Sequence, residues 1–305
     1  MYVTILGEQM KYLLFALLFA VGSAQAQISP VEVFGRMRVF QGYDQEGTAA
    51  GLGKLVNNQS QIGLRGNEDL GGGLRANFIV DTTIGADNTT TTGLGDRTSL
   101  VGFSNSWGSL QVGRDKHFTQ RLIEQFDAIE EFYGSSAGVV HSLNGTRVSN
   151  STFLTVRPID NLAFNYSYSF SETAGTPNTQ VSRVDWRAGD FATSIGRWDN
   201  SIDRTDLLGL RYSPIHGTTL FGIASDNRNN GQTWNGYNAG VAQKLGGKFT
   251  GRIAYGHKPG IDTYNLGLDY DLSRRTAVQL RLRYDDADLV ANKRQQYAVG
   301  LIHHF

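Results

Sequence analysis

The segment LAFNYSYSF, residues 162–170, decides the fold class. Large apolar or aromatic side chains occupy its even positions, and small or polar side chains occupy the odd positions between them. Strict alternation is typical of a β-strand that has one apolar and one polar face. The pattern recurs at residues 265–270 and 278–284, where the polar face of the second segment carries Arg281 and Arg283. A soluble sandwich could place such faces in water, and a membrane barrel could place them around a water-filled interior.

The composition excludes several classes of protein. The 305 residues contain 28 Lys+Arg and 28 Asp+Glu, and this neutral balance gives no support to nucleic-acid binding. The absence of Cys excludes a disulfide scaffold, an iron–sulfur cluster, a thiol nucleophile and a Cys-ligated zinc. The mean hydropathy of −0.30 excludes a bundle of transmembrane helices. The 37 glycines make up about 12% of the 305 residues, above the usual ~7%, and charged residues make up 18%, below the usual ~25%. Both values are expected for a membrane barrel or for a large soluble β protein.

The beginning of the chain reads as an export signal. The apolar run at residues 12–21 is about half the length that a membrane-spanning helix needs. Lys11 precedes the run, and an A-x-A motif ending at Ala26 follows it. We therefore predict a signal peptide over residues 1–26, with a buried N-terminal helix as the alternative. The nine residues before Met10 carry no positive charge, so we expect translation to start at Met10. An exported chain without Cys fits the envelope of a Gram-negative bacterium.

The remaining residues, 27–305, predict one barrel domain. Seven tight, turn-rich connections alternate with eight polar and mostly longer ones, of which residues 44–58 and 84–96 are examples. This alternation is typical of an outer-membrane barrel. We therefore predict an all-β protein, a 16-stranded antiparallel transmembrane β-barrel with both termini on the rim of short turns. The predicted strands are residues 31–43, 59–68, 74–83, 97–104, 109–115, 146–157, 162–172, 181–188, 191–199, 204–213, 218–226, 235–244, 248–257, 263–271, 276–284 and 295–305.

Several longer motifs resemble those of one known family. The motifs are SQIGLRGNEDLGGGLRA at residues 60–76, VGF at 101–103, GSLQVGR at 108–114, RVSNS at 147–151 and YNLGLDYDLSRRT at 264–276. Together they resemble the Gram-negative general porins of the trimeric, Neisseria- and Bordetella-like type. The resemblance covers essentially all of residues 27–305, although the chain is shorter than the family norm, mainly in its loops.

The resemblance implies a homotrimeric channel that needs no cofactor. It implies passive diffusion of small hydrophilic solutes, contact with outer-membrane lipid and lipopolysaccharide, and recognition of the terminal Phe305 by the barrel-assembly machinery. It also implies that the third external loop folds inward and narrows the lumen. That loop corresponds to residues 115–145, the longest connection, and loops of this length without a function are uncommon. Its candidate constriction acids are Glu124, Asp127, Glu130 and Glu131.

The polar faces of the predicted strands are rich in arginine. An arginine on the lipid face near mid-bilayer would cost ~2–4 kcal/mol, which favours placing these residues inside. Arginine stays charged and binds carboxylates and phosphates, so such a wall would favour anions weakly. The candidate basic wall of the constriction is Arg36, Arg38, Arg65, Arg75 and Arg147; the other lumen candidates are Arg183, Arg187, Arg211, Arg252, Arg281 and Arg283.

Other sites and functions are weaker alternatives. Asp285, Asp286 and Asp288 could hold a divalent cation that bridges lipopolysaccharide, although such clusters are more often solvated loops. The six His have no metal-ligand spacing, and no catalytic motif stands out. The main alternative is a substrate-selective outer-membrane channel. An outer-membrane enzyme or adhesin built on a barrel, and a soluble secreted β-sandwich, are less favoured.

Overall fold

A single antiparallel sheet forms the protein. The computed structural model describes residues 31–87, 93–130, 135–141 and 147–305, so the predicted signal peptide, residues 1–26, and the expected start at Met10 lie outside the described residues. In the described part, no helix combines the length and apolar character needed to cross a membrane. The elements are β1 (Glu32–Glu46), β2 (Leu52–Asn57), β3 (Gln61–Gly71), β4 (Leu74–Thr83), β5 (Thr98–Asn105), β6 (Gly108–Lys116), α1 (Phe118–Gln125), a 3-10 turn (Ser136–Val139), β7 (Arg147–Ile159), β8 (Leu162–Ser169), β9 (Thr179–Ala188), β10 (Phe191–Asp199), β11 (Arg204–Ile215), β12 (Thr218–Asn229), β13 (Gln232–Gly246), β14 (Phe249–Lys258), β15 (Ile261–Asp271), β16 (Thr276–Ala287), a second 3-10 turn (Val290–Asn292) and β17 (Arg294–His304).

The sheet closes into a barrel because its first and last strands pair. The register between β1 and β17 runs from Arg36 opposite His304 to Glu46 opposite Arg294. Both β2 and β3 pair with the same side of β1, so they are two parts of one barrel strand that is interrupted at residues 58–60. The seventeen segments therefore form sixteen barrel strands, which confirms the predicted fold.

The two faces of each strand have opposite character. In β15, Tyr264 and Leu266 point outward with about half of their surface exposed, at 50% and 48%. Asn265 and Asp269 point inward and are buried. The exposed apolar side is the one that lipid can cover, and the closed ladder leaves no open sheet edge in the hydrocarbon.

The connections differ from expectation on one rim only. The seven predicted turns on the rim that carries the termini are confirmed as tight connections. On the opposite rim, the first loop is residues 47–51 rather than 44–58, because β2 occupies residues 52–57. Connections at residues 230–231 and 259–260 are also tight. The strands extend farther here because their ends, although polar on both faces, continue the hydrogen-bonded ladder, as Asn229 opposite Gln232 shows.

The described parts of the third loop, residues 117–130 and 135–141, lie inside the barrel, as predicted. The loop begins at residue 117, since Asp115 and Lys116 still belong to β6. Its helix α1 contacts the inner face of β8 to β11, and its 3-10 turn contacts β13 to β15. The helix begins after His117, whose side chain accepts a hydrogen bond from the Gln120 backbone N–H at 3.0 Å and so satisfies a free donor of the first turn.

The outward face of β15 gives a direct test of this arrangement. The substitution Leu266→Arg places a charge between the outward-facing Tyr264 and Tyr270, and we expect it to lower the free energy of unfolding by ~2–4 kcal/mol. The control Ser273→Arg lies in the turn beyond β15 and should cost less than about 1 kcal/mol. Urea unfolding in lipid vesicles measures both. Equal costs for the two variants would contradict the assignment of this face to lipid.

Candidate functional site

Two apolar clusters hold the third loop against the inner wall. Phe126, which follows α1, is completely buried, as is Val140 after the 3-10 turn. The loop therefore has its own small core inside the barrel. The first cluster is Leu122, Ile123, Phe126, Ala137, Val140, Ala192, Leu207 and Ile223. The second is Phe40, Ala128, Ile129, Ala254 and Ala298, with Phe221 packed against it.

A glycine in the wall makes room for each cluster. A Cβ atom at Gly209 would lie 2.3 Å from a ring carbon of Phe126. A Cβ atom at Gly240 would lie 2.5 Å from the Cβ of Ala128. Both distances are far below van der Waals contact, so the loop can approach the wall this closely only because these two positions lack a side chain.

Arg252 ties the tip of the loop to the wall. Its guanidinium donates to the Ala128 carbonyl at 2.9 Å and to the Glu130 carboxylate at 2.6 Å. Its Nε donates to Asp269 at 2.6 Å, and Asp269 also pairs with the fully buried Arg281. Buried charges are stable only when they are paired in this way. This part of the predicted arginine wall therefore anchors the loop.

Two further contacts hold the helix and the 3-10 turn of the loop. Arg183 donates to the Phe118 carbonyl at 3.2 Å, at the start of α1. Asn238 donates to the Ser136 hydroxyl at 2.6 Å, at the start of the 3-10 turn. The described parts of the loop are therefore held at both helical turns and at the tip.

A cluster of arginines lies around Gln59, at the interruption between β2 and β3. Arg36 donates to the side-chain oxygen of Gln59 at 2.9 Å, and Arg97 reaches the same oxygen at 3.4 Å. Arg97 also lies 3.9 Å from Asp81, and it is close enough to Arg147 to feel its charge. Gln59 sits at the interruption between β2 and β3 with a φ of +65°, a conformation that is uncommon for a residue other than Gly and often found at functional sites.

The arginine cluster and the loop acids share one cavity. This cavity has a volume of about 300 Å³, and its lining includes Arg36, Arg38, Glu124 and Glu130. Arg38 donates to the Glu130 carbonyl at 3.2 Å, and Lys116 lies 2.5 Å from the Glu124 carboxylate. Four of the candidate constriction residues therefore meet across one narrow space, with positive charge on the wall and negative charge on the loop.

Two of the candidate arginines lie elsewhere in the lumen. Arg65 is opposite Glu32, four register positions from Arg36, which is about 13 Å along the strand. It pairs with that carboxylate at 2.7 Å near the rim that carries the termini, where both side chains are half exposed. Arg75 is exposed next to the turn at residues 72–73 on the same rim. The structure does not bring these two arginines together with the loop.

The remaining loop acids differ in position. Asp127 is buried, and its carboxylate accepts the Ile129 backbone N–H at 2.9 Å, so it shapes the turn after α1. Glu131 lies outside the described residues. Burial, reinforced by the nearby His117 and Lys258, lowers the pKa of His141 to about 4, so this loop histidine is neutral at neutral pH.

Sequence reasoning missed Arg97. Alternation along β5 places Thr98 on the inward face. If the strand also included residue 97, the same alternation would place Arg97 on the outward face, toward lipid. Arg97 instead lies in the loop just before the strand, where the chain bends and turns its side chain into the lumen. Its hydrogen bond to Gln59 could not be found from periodicity, because Gln59 lies at the strand interruption.

The structure does not assemble the candidate metal site. Asp285 points inward and is paired with Arg283 at 2.7 Å, whereas Asp286 points outward and lies 3.1 Å from Lys293. Adjacent residues of a strand face opposite sides of the sheet, so Asp285, Asp286 and Asp288 do not converge. Among the residues that the structure describes, no group of three or more His, Cys, Asp or Glu could hold a metal ion. The hydrogen bond to Asp286, together with its charge, raises the pKa of Lys293.

Comparisons with known proteins agree with this geometry. A sequence model of the Gram-negative porin family matches residues 14–289. The chain is 30% identical to outer membrane porin protein 32 of Delftia acidovorans, over 94% of this chain and 83% of that one. It is 25% identical to the major outer membrane protein P.IB of Neisseria meningitidis serogroup A, over 82% of this chain and 84% of that one.

Solved structures show the same fold. The anion-selective porin from Comamonas acidovorans superposes with a TM-score of 0.78 at 21% identity, covering 91% of this chain and 100% of that one. The trimer form of OmpT from Vibrio cholerae superposes with a TM-score of 0.71 at 11% identity, covering 91% of this chain and 99% of that one.

The glycine under Phe126 gives a test of how the lumen is narrowed. The substitution Gly209→Leu fills the space of the Phe126 ring, so we expect the loop to leave its seat and single-channel conductance to rise. Overpacking of this kind costs ~1–3 kcal/mol, and the heat-modifiable band on gels checks that the barrel still folds. The control is Gly222→Leu, on the neighbouring strand, where the nearest atom to an added Cβ is 3.9 Å away. An unchanged conductance in folded Gly209→Leu would show that the loop does not limit the current.

Proposed function

This chain belongs to the Gram-negative porin family, and on that premise we propose that its channel favours small hydrophilic anions. The protein is a diffusion porin of the outer membrane of a Gram-negative bacterium. Solutes cross such a channel down their own gradient. Its size limit depends on the narrowest part of the lumen, and its charge preference depends on the side chains there.

One observation carries the proposal of anion preference. Two guanidiniums, those of Arg36 and Arg97, converge on the single oxygen of Gln59 beside the lumen. Like charges held this close repel each other and attract an anion into the water between them and the loop. Arg38 and Arg147 add to the positive potential.

The acids of the loop do not cancel this potential. Glu124 is bound by Lys116 and Glu130 by Arg252, so each of these carboxylates already pairs with a cation. The remaining field runs from the arginine cluster toward the loop. An anion is attracted to the arginine cluster, and a polar solute can align its dipole with the field. An apolar solute, in contrast, must displace ordered water. The similar porin from Comamonas acidovorans, which is described as anion-selective, supports the same preference.

We propose that the chain works as a homotrimer and carries no catalytic activity. Support for the trimer comes from the similar OmpT structure, which is a trimer form. We also propose that Phe305 is read by the barrel-assembly machinery and that outer-membrane lipid and lipopolysaccharide surround the barrel. In support, Phe305 forms two backbone hydrogen bonds with Gly35, both of 3.1 Å, and so completes the seam of the barrel.

Solute uptake separates a general porin from a substrate-selective channel. In liposome swelling with a graded series of sugars and carboxylates, we expect rates that fall smoothly with size and are higher for anions of a given size. The physical reason is that the lining of the shared cavity includes charged side chains, whose field acts on any small anion. A single compound that passes out of size order would instead support the substrate-selective alternative.

Reversal potentials in a salt gradient test which arginines set selectivity. In a water-filled lumen a unit charge about 6 Å from an ion contributes ~0.7 kcal/mol. Each such charge favours an anion and disfavours a cation by that amount, so the double variant Arg36→Gln/Arg97→Gln should reduce the anion-to-cation permeability ratio about tenfold for each charge removed. The matched control Arg65→Gln/Arg75→Gln removes the same charge near the other rim and should have a much smaller effect. Cation preference in the unmodified protein, or equal effects of the two double variants, would refute the proposal.

A further inference from the structure

Three arginines lie in the lumen near the rim of short turns, the rim that carries both termini. They are Arg157 on β7, Arg187 on β9 and Arg211 on β11, and each lies within five residues of a tight connection on that rim. This is the end that an outer-membrane barrel opens to the periplasm. We call these three residues the second arginine cluster, to distinguish them from the arginines around Gln59.

Strand alternation places Arg187 and Arg211 on the inward face. Arg187 is two residues after Asp185, which lines a cavity of the lumen. Arg211 is two residues after Gly209, the position where Phe126 of the third loop meets the wall. Residues two apart on a strand share a face and are about 7 Å apart. The two arginines therefore lie just on the periplasmic side of the place where the loop packs against the wall.

The third member of the cluster lines the same cavity as Asp185. This cavity has a volume of about 570 Å³, and its lining includes Arg157 and Phe118, the first residue of α1. Each carboxylate in the lining already pairs with a cation other than Arg157. The pairs are Asp115 with Arg121, Glu124 with Lys116 and Asp185 with Arg183.

The strand register brings Arg187 and Arg211 into one row. Both are register partners of Ala192, which lies between them on β10. Neighbouring strands are about 4.8 Å apart, so the Cα atoms of the two arginines are about 10 Å apart. The side chain between them is a single methyl group, so no larger group separates the two guanidiniums.

The second arginine cluster carries charge that the described part of the chain does not pair. None of its three members forms an ion pair or a side-chain hydrogen bond with a described residue, whereas Arg183, Arg252 and Arg283 each bind a carboxylate. Asp160 and Asp190 lie in two of the adjacent turns, are exposed, and pair with no member of the cluster. Even when both carboxylates are counted, the three arginines leave this region positive.

We propose that the second arginine cluster binds small multivalent carboxylates, such as tricarboxylates, on the periplasmic side of the third loop. A guanidinium stays charged and binds a carboxylate through charge-assisted, often bidentate hydrogen bonds. A monovalent anion meets one guanidinium, whereas a multivalent one can contact two at once across the methyl group of Ala192. Because the arginines are open to the water of the lumen, binding is reversible and the solute is released.

This inference deepens the proposed function and rests on it, because it adds a second anion site to a channel that favours anions. The two can nevertheless fail separately. Reversal potentials report the ion preference set around Gln59, whereas block of the current by a multivalent anion reports the second arginine cluster. Loss of anion preference with retained block would reject the first proposal alone.

The test measures block of chloride current through single channels of the full chain in planar bilayers. Citrate is the multivalent probe and acetate is the monovalent comparison. Each is added to both sides of the bilayer, so the orientation of the inserted channel does not affect the result. The variant R187Q/R211Q removes two members of the cluster. The matched control, R274Q/R275Q, removes the same charge from an exposed turn on the same rim.

We expect citrate to block the unmodified protein and R274Q/R275Q at the same concentration. The half-blocking concentration should rise at least about tenfold in R187Q/R211Q, since two charge-assisted contacts are lost. Acetate should not produce saturable block of any of these proteins. The variant R36Q/R97Q should lose anion preference and keep its citrate block within about threefold. The single variant R157Q should show part of the loss, and it breaks no ion pair of the described chain, so it remains informative if R187Q/R211Q folds poorly.

Three results would overturn the proposal. The same half-blocking concentration in R187Q/R211Q and the unmodified protein would show that the cluster does not hold citrate. An equal rise in R187Q/R211Q and R274Q/R275Q would show that the total charge of the rim matters and not a site. A rise confined to R36Q/R97Q would place the bound citrate at the arginines around Gln59.

Discussion

The pairing of β1 with β17 is the constraint on which the rest of the structure depends. A peptide group in hydrocarbon has no water to bond, so a sheet in a membrane cannot keep an open edge. Once the ladder closes, each strand has one side toward lipid and one toward the lumen, and neighbouring residues such as Asp285 and Asp286 are separated by the wall itself. Closure thus decides which charges can act together before any side-chain contact forms.

The inward loop then divides the lumen arginines into two groups with different tasks. Arg183 and Arg252 hold the loop. They donate hydrogen bonds to two of its backbone carbonyls and to the Glu130 carboxylate. Arg36 and Arg97 instead bind the side-chain oxygen of Gln59, at the strand interruption. This division produces the difference in charge between the arginine cluster and the loop. It also requires that the loop lie close to the wall, which the glycines at residues 209 and 240 allow.

The sequence predicted which face of the sheet a residue lies on, but it said less about the position of that residue along the barrel axis. Alternation predicted the sixteen barrel strands and the inward side of Arg36, Arg38 and Arg252, because period two is imposed by the strand itself. It could not separate Arg65 from Arg36, since both obey the same parity and differ only in position along the barrel axis. It also failed at Arg97 and β2, where a bend and the interruption at residues 58–60 break the period.

The position of a residue along the barrel axis follows only from the register between the strands. Pairing Arg36 with Gln61 and Glu32 with Arg65 turns a distance in sequence into a distance along the barrel, and this separates a constriction arginine from a rim arginine. The same rule on the outside of the wall puts Arg204 and Arg228 one row above Asp206 and Asp226 and two rows above Leu208. In a membrane barrel, position along the axis determines whether an arginine meets a passing ion, bulk water or a lipid headgroup. The role of an arginine therefore depends on the strand register as well as on the face of the sheet that it occupies.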